Sequence, residues 1–255
     1  MKTILNKIEF HYTYLIIALG FILTGYFSNL IVFTSLILIH ELGHILCLLY
    51  YKIDIQKVII YPYGGITKVN GKIDNDIDEE LIIAISGVFF QTILYSIIFI
   101  LYNYNLLSYK IFNLYTLYHY SILIFNLLPI CGLDGFKILN LYLSKFFSFY
   151  VSNIISLIIS IIIVIILTIL GFNNYSYIML LTLLIYNIYE FYINIDYLYN
   201  RFLLERYLYN FNFKKIKVIN NMKKMQKNKY HYLKKDKSII EEKKALKTLF
   251  EKTLQ

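Results

Sequence analysis

The sequence predicts an all-α polytopic membrane protein of about six transmembrane helices, with a small β-hairpin and a basic cytoplasmic tail. Three observations predict it. Hydrophobic residues make up 58% of the 255 and charged residues only 16%, where a soluble domain carries roughly a quarter charged. The apolar residues come in long runs, and runs of about 18 or more read as transmembrane helices. Lysine and arginine fall almost wholly on one side of a six-span arrangement.

The six expected spans lie near 11–28, 30–50, 80–101, 109–128, 149–170 and 175–196. Each is long enough to cross a hydrocarbon core of about 30 Å at about 1.5 Å per residue. No small-residue cleavage site follows the first run, so no removable signal peptide is evident and the first span is expected to be retained. With six spans both termini share one side. That side then holds 24 of the 25 basic residues, leaving only Lys110 on the other. The basic side is assigned to the cytoplasm. Five or seven spans would scatter the same charges over both faces.

The polar connections fall at 51–79 and 129–148. Within the first, Lys57 to Tyr61 and Ile66 to Val69 read as strands, with Pro62-Tyr63-Gly64-Gly65 as the turn between them. The acidic stretch Asp74 to Glu80 then opens the third span, where carboxylates suit a helix N-terminus. After Asp196 the composition changes. Residues 201–255 hold 16 Lys and Arg against 5 Asp and Glu. This gives two regions: a six-helix transmembrane domain over 1–200, and a basic cytoplasmic tail over 201–255. The tail is expected to contain a short helix near 239–252 and is too small for a large core of its own. Cys47 and Cys131 are the only cysteines. They suggest no disulfide framework and fit a reduced environment.

The chemistry-bearing motif is His40-Glu41-Leu42-Gly43-His44, set inside a strongly apolar run. On a helix, positions i and i+4 share a face one turn apart, so both imidazoles can bind one metal ion. Glu41 then stands beside the first ligand, placed to activate water as a general base. Zinc suits such nitrogen donors. Three polar residues in an apolar span are costly unless they have partners, which favours a metal site over chance. Two histidines are too few for a tight catalytic zinc site. The best candidate for the third ligand is Asp134, in Asn126-Leu127-Leu128-Pro129-Ile130-Cys131-Gly132-Leu133-Asp134-Gly135. Pro129 and Gly132 break the helix there and let the chain turn. Taken alone, a capping role would explain Asp134 better.

These two motifs resemble the site-2 protease family of intramembrane zinc metalloproteases. The resemblance covers roughly residues 1–200. It implies one zinc ion per chain held by His40, His44 and Asp134, with Glu41 as the catalytic base. It implies that Asn126 contacts substrate or holds the oxyanion. Tyr61-Pro62-Tyr63-Gly64-Gly65 is similar to the family's membrane-associated hairpin, whose edge at Gly64 and Gly65 would pair with an unwound substrate strand. Ser86-Gly87 is similar to its small-residue packing motif, with Val88 where the family often has proline. Six spans, no large insertion and the segment Arg201 to Tyr207 resemble the sporulation subgroup, which processes a membrane-bound pro-sigma factor. That subgroup implies inhibitory membrane partners and a mother-cell membrane surrounding the forespore. Its members typically end in a nucleotide-sensing CBS domain. The tail here is shorter than a CBS pair and is read as a truncated CBS-like regulatory segment.

Other residues carry weaker signals. His119 shares a helical face with Asn126 and reads first as a packed histidine. Glu190 and Asp196 read as interfacial, and Cys47 and Cys131 as small packing residues. The basic tail suits anionic lipid head groups better than nucleic acid. Two other functions compete with a protease: a metal-binding membrane transporter and a catalytically inactive scaffold. Neither needs Glu41 beside the first histidine.

Overall fold

The computed structural model describes residues 7–61, 64–69, 73–171, 175–211, 213, 215–235 and 238–253. The chain forms two compact units. One joins Met1–Gly71 to Ile82–Asn126, and the other joins Lys72–Leu81 to Leu127–Gln255.

In the first unit, β1 (Ile8–Phe10) leads into α1 (Tyr12–Leu23) and α2 (Phe27–Tyr50). The first apolar run is thus cut short: α1 has 12 residues, about 18 Å at the α-helical rise. Gly25 takes φ +76°, a left-handed turn that suits glycine, and α2 starts two residues later. The hairpin follows as β2 (Ile55–Tyr61) and β3 (Gly64–Val69). Gly64 and Gly65 are the first residues of β3, paired with Tyr61 and Ile60, rather than the turn itself. Pro62 and Tyr63 of the expected turn lie outside the described residues.

The strand β1 was not anticipated. It pairs parallel to β2, in a sheet ordered β1-β2-β3. A register shift between Ile55 and Lys57 explains why Ile55 and Val58, three apart, are both buried. A bulge adds one residue and so resets the alternation of faces. Those two side chains pack on Ile45 and Leu48 of α2, and Ile60 packs on Tyr14 and Ile37. Burying each such aliphatic side chain stabilises the docked sheet by about 1.5–3 kcal/mol.

Helix α3 (Ile77–Asn103) starts in the second unit and continues through the first, where α4 (Tyr109–Leu127) follows it. Asn29 and Ser35 of α2 bond the hydroxyls of Tyr118 and Tyr115 on α4 at 2.9 and 3.1 Å.

The second unit contains α5 (Asp134–Phe146), α6 (Phe149–Gly171) and α7 (Tyr175–Leu208). Helix α5 occupies what the sequence suggested was only a polar connection. Helix α6 is apolar outside and polar inside. Ser152, Ser156 and Ser160 are fully buried, while Ile158, Ile162, Ile165, Ile166 and Ile169 are exposed. The serines recur every four residues and so share a face. Ser144 of α5 meets Ser152 at 2.9 Å, and Asn140 donates to Asn153 at 2.9 Å. Small hydrogen-bonding residues between helices with aliphatic residues outward are the pattern of a membrane bundle.

Helices α2, α3 and α6 are each long and apolar enough to cross a membrane. Among the described residues these three are the helices that qualify; α1 is a shorter apolar helix, and the other expected spans fall on α4 and the first part of α7.

The tail is folded. It forms β4 (Ile216–Ile219), a short 3-10 turn at Met222–Lys224, β5 (Tyr230–Lys235), β6 (Ser238–Glu241) and α8 (Glu242–Thr253), with sheet order β4-β5-β6. It shares one core with the ends of α6 and α7: Phe149, Phe202 and Leu203 pack with Ile219, Met225 and Leu246. The tail thus borrows the core it is too small to build. At the centre of this region Arg206 is buried. Its guanidinium contacts Asp74, meets Glu242 at 3.2 Å, and donates to the carbonyls of Lys229 and Gln226 at 2.7 and 2.9 Å. Lys227 pairs with Glu80 on the first turn of α3 at 2.6 Å.

Candidate metal centre

The candidate site is built on the inner face of α2, where His40, Glu41 and His44 are all buried. Helical spacing sets the two imidazoles edge to face, with centroids 4.9 Å apart, and their Nε2 atoms 3.2 Å apart. The partners of the other ring nitrogens come from α3. The Ile83 carbonyl lies 2.7 Å from His44 Nδ1 and can only accept, so that nitrogen carries the hydrogen. His44 Nε2 therefore keeps its lone pair. Ser86 Oγ stands 3.4 Å from the same Nδ1. His40 Nδ1 faces the side chain of Gln91 at 3.1 Å.

His40 Nε2 faces the lone pair on His44 Nε2 at 3.2 Å, an approach that a cation held between the two nitrogens would accommodate. Nitrogens each about 2.0–2.1 Å from a tetrahedral zinc stand about 3.3 Å apart, close to the separation found. The donor set thus fits zinc. Among the described residues His40, Glu41 and His44 are the group whose ligand atoms lie within 4.8 Å of one another.

Close helix packing makes this possible. A Cβ on Gly43 would sit 2.6 Å from the Ser86 carbonyl oxygen, and one on Gly87 would sit 2.3 Å from His44 Nε2 and 2.7 Å from His40 Nε2. Only glycine at both positions lets α2 and α3 approach while leaving space before the two Nε2 nitrogens. The Ser86-Gly87 pair of the sequence motif is thus part of the site wall.

Strand β3 covers Glu41. The Gly65 N–H donates to Glu41 Oε1 at 2.9 Å, and Thr67 Oγ1 lies 3.5 Å from Oε2. A Cβ on Gly65 would stand 2.2 Å from Glu41 Cδ. The role expected for Gly65 was substrate pairing; its contact in the structure is with the carboxylate of the candidate base. Gly64 takes φ +146° with open space around its Cα.

The other expected residues are distributed as follows. Asn126 is buried at the end of α4, in the first unit. Asp134 belongs to the second unit, buried in the first turn of α5 and paired with Lys137 at 2.9 Å. The chain on either side of it requires its glycines. Gly132 has φ +93°, and a Cβ there would lie 2.6 Å from Asn187 Nδ2, while one on Gly135 would lie 2.2 Å from the Leu127 carbonyl oxygen. Ser160 holds this loop, donating to the Pro129 carbonyl at 3.0 Å and accepting from the Cys131 N–H at 3.2 Å. His119 is buried, its ring stacked on Tyr95 at 4.3 Å. Glu190 and Asp196 are exposed on α7.

Comparison with known proteins points the same way as this geometry. Residues 28–109 match peptidase family M50. The chain is 36% identical over 140 residues to Stage IV sporulation protein FB of Bacillus subtilis, covering 54% of this chain and 48% of that protein. It is 30% identical over 158 residues to a zinc metalloprotease of Methanocaldococcus jannaschii, covering 57% of this chain and 45% of that one. The chain thus spans about half the length of the curated relatives it matches. Among solved structures it is similar to the site-2 protease from Methanocaldococcus jannaschii. The TM-score is 0.54 at 22% identity, over 74% of this chain and 88% of that one.

Proposed function

We propose, from the premise that this chain belongs to the site-2 protease family of membrane metalloproteases, that it cuts a membrane-associated protein near the cytoplasmic face with one zinc ion. The observation that carries this reading is the pair of facing Nε2 atoms 3.2 Å apart with a carboxylate on the same helix face. His40 and His44 would hold the ion, with Asp134 as the third ligand. The Asp134 assignment rests on its place in the Asn126 to Gly135 motif. Zinc, when bound, supplies Lewis acidity that polarises the scissile carbonyl and makes water acidic enough to attack near neutral pH.

The chain's own residues do the rest. Glu41 takes the proton from the attacking water and passes it to the leaving amine. Gly65 and Thr67 orient its carboxylate, so that the proton is taken at a fixed position. Asn126 is assigned to the developing oxyanion or to substrate. Gly64 and the adjoining β3 backbone are assigned to an extended substrate segment, whose carbonyls an unwound strand exposes. Burial of the motif excludes bulk water, so each polar contact acts at low dielectric.

Helices α1, α4 and α7 are taken with α2, α3 and α6 as six spans, both termini cytoplasmic. Residues 1–200 would form the protease domain and 201–255 a basic regulatory segment against anionic lipid. Similarity to Stage IV sporulation protein FB supports a role in sporulation; a pro-sigma factor substrate, inhibitory membrane partners and a mother-cell membrane surrounding the forespore are proposed with it. The test is co-expression with a tagged candidate pro-sigma factor, comparing the native chain with Glu41→Gln. Shortening by the native chain alone is expected. Equal shortening by both would overturn the role of Glu41. No cutting by a zinc-loaded native chain would overturn the substrate.

A further inference from the structure

One buried polar side chain near the site has no part in the mechanism above. Gln91 is fully buried on α3, in a stretch where a carboxamide is costly unless every polar atom has a partner. Its orientation follows by elimination. The His119 backbone carbonyl can only accept, and it lies 3.0 Å from Gln91 Nε2. The amide nitrogen therefore faces α4. Its second hydrogen points to His119 Nδ1 at 3.3 Å. The oxygen is then left facing α2, with His40 Nδ1 at 3.1 Å. A carboxamide oxygen can only accept, so His40 Nδ1 carries the hydrogen. In the neutral imidazole the lone pair then belongs to Nε2, the atom that faces His44.

We infer that Gln91 is a positioning residue of the metal centre, fixing the tautomer and ring plane of His40 as the Ile83 carbonyl fixes those of His44. This rests on the metal-site reading. Reversing the amide would set an oxygen against the His119 carbonyl and an N–H₂ group against His40. Each buried group left unsatisfied costs about 1–3 kcal/mol, so the carboxamide is held in one orientation. His119 anchors it in turn, because its ring is stacked on Tyr95 with planes 2° apart. Three helices thus share the work: α2 carries the ligand, α3 the orienting oxygen and α4 the anchor.

The arrangement differs between the two ligands. His44 is oriented by backbone, which no side-chain substitution removes. His40 is oriented by a side chain, and is the ligand open to mutational test. Loss of a hydrogen-bond partner behind a metal-binding histidine typically costs about 10–100-fold in metal affinity.

The experiment measures zinc affinity of the purified chain in detergent, by competition with a chromogenic chelator, for the native protein, Gln91→Met and Gln91→Glu. Cobalt(II) absorption bands report ligand geometry in parallel. Gln91→Met keeps length and removes the acceptor. We expect its affinity to fall about 10–100-fold and its cobalt bands to shift, with helical content retained. Gln91→Glu keeps an acceptor toward His40 but loses the donor to the His119 carbonyl, so it is expected to lose less affinity than Gln91→Met. Native affinity in Gln91→Met overturns the inference and leaves the metal site standing. So does a loss in Gln91→Glu as large as that of a ligand substitution. If Gln91→Met does not fold, Gln91→Glu decides alone by the same criterion. A native chain that binds no zinc overturns the metal site and this inference together.

Discussion

Substituting Gly87 by alanine places a methyl group where the metal is expected. The added carbon would lie 2.3 Å from His44 Nε2 and 2.7 Å from His40 Nε2, where ordinary contact starts at 3.4 Å. A zinc ion would itself sit about 2.0–2.1 Å from the same nitrogens, so the methyl and the ion compete for one space. Relief needs a shift of about 1.1 Å, the gap between 3.4 and 2.3 Å. Moving α3 back by that much would stretch the 2.7 Å contact of His44 with Ile83 and the 3.1 Å contact of His40 with Gln91 beyond hydrogen-bond range. Turning the rings instead would aim both lone pairs away from the ion. With about 10–100-fold lost per orienting partner, losing both predicts about 10²–10⁴-fold weaker zinc binding and no detectable cutting. Metal content after desalting, with chelator competition for the affinity, measures it, and circular dichroism checks the helices. A Gly87→Ala chain that keeps one zinc at native affinity would refute the packing argument.

Gly65→Ala should separate metal from base: its Cβ would meet Glu41 Cδ at 2.2 Å, and its three nearest neighbours are all atoms of Glu41. Zinc is retained while cutting falls about 10²-fold, as expected for a catalytic group displaced by about 1 Å; a peptide-cleavage assay beside metal analysis checks both. Arg206→Met leaves Asp74 and Glu242 buried without their shared cation. It should destabilise the region around the tail by about 3–5 kcal/mol, visible as earlier proteolysis of the tail and earlier unfolding in denaturant. Burial raises the Asp74 carboxyl above its ordinary value of 3.8, with Arg206 pulling the other way. The folded chain therefore keeps this proton to higher pH than the unfolded chain. Stability from this group should fall as pH rises from about 3.8 through its folded pKa. Thermal unfolding across that range should show the slope in the native chain and a flatter one in Asp74→Asn.

The parts legible in the sequence were those that a single element encodes. His40, Glu41 and His44 could be read because helical spacing alone brings them together. The long apolar runs behind α2, α3 and α6 could be read by length. Ile83 and Gln91 could not, because they meet the histidines only through the packing of α3 on α2; Gly87 was reached only through the resemblance of Ser86-Gly87 to a packing motif. One signal was available: Gln91 is a lone carboxamide in an apolar stretch, and such a group demands a partner. Helix α5 was hidden by Pro129 and Gly132, which break the chain before it and drew attention from the amphipathic pattern that follows. The contact of Gly65 with Glu41 depends on how β3 docks on α2, which alternation within the strand cannot forecast. The tail read as too small for a large core of its own. It folds by using Phe149 and Phe202, which belong to helices before it.

The central claim is a zinc ion held by the two histidines of α2, with Asp134 proposed as the third ligand. Metal analysis of the purified native chain beside Asp134→Ala and His44→Ala tests it most directly. The account predicts one zinc per native chain and loss of that zinc in both variants, with their helical content unchanged. A native chain without zinc, or an Asp134→Ala chain that holds it as firmly as the native one, would contradict the account.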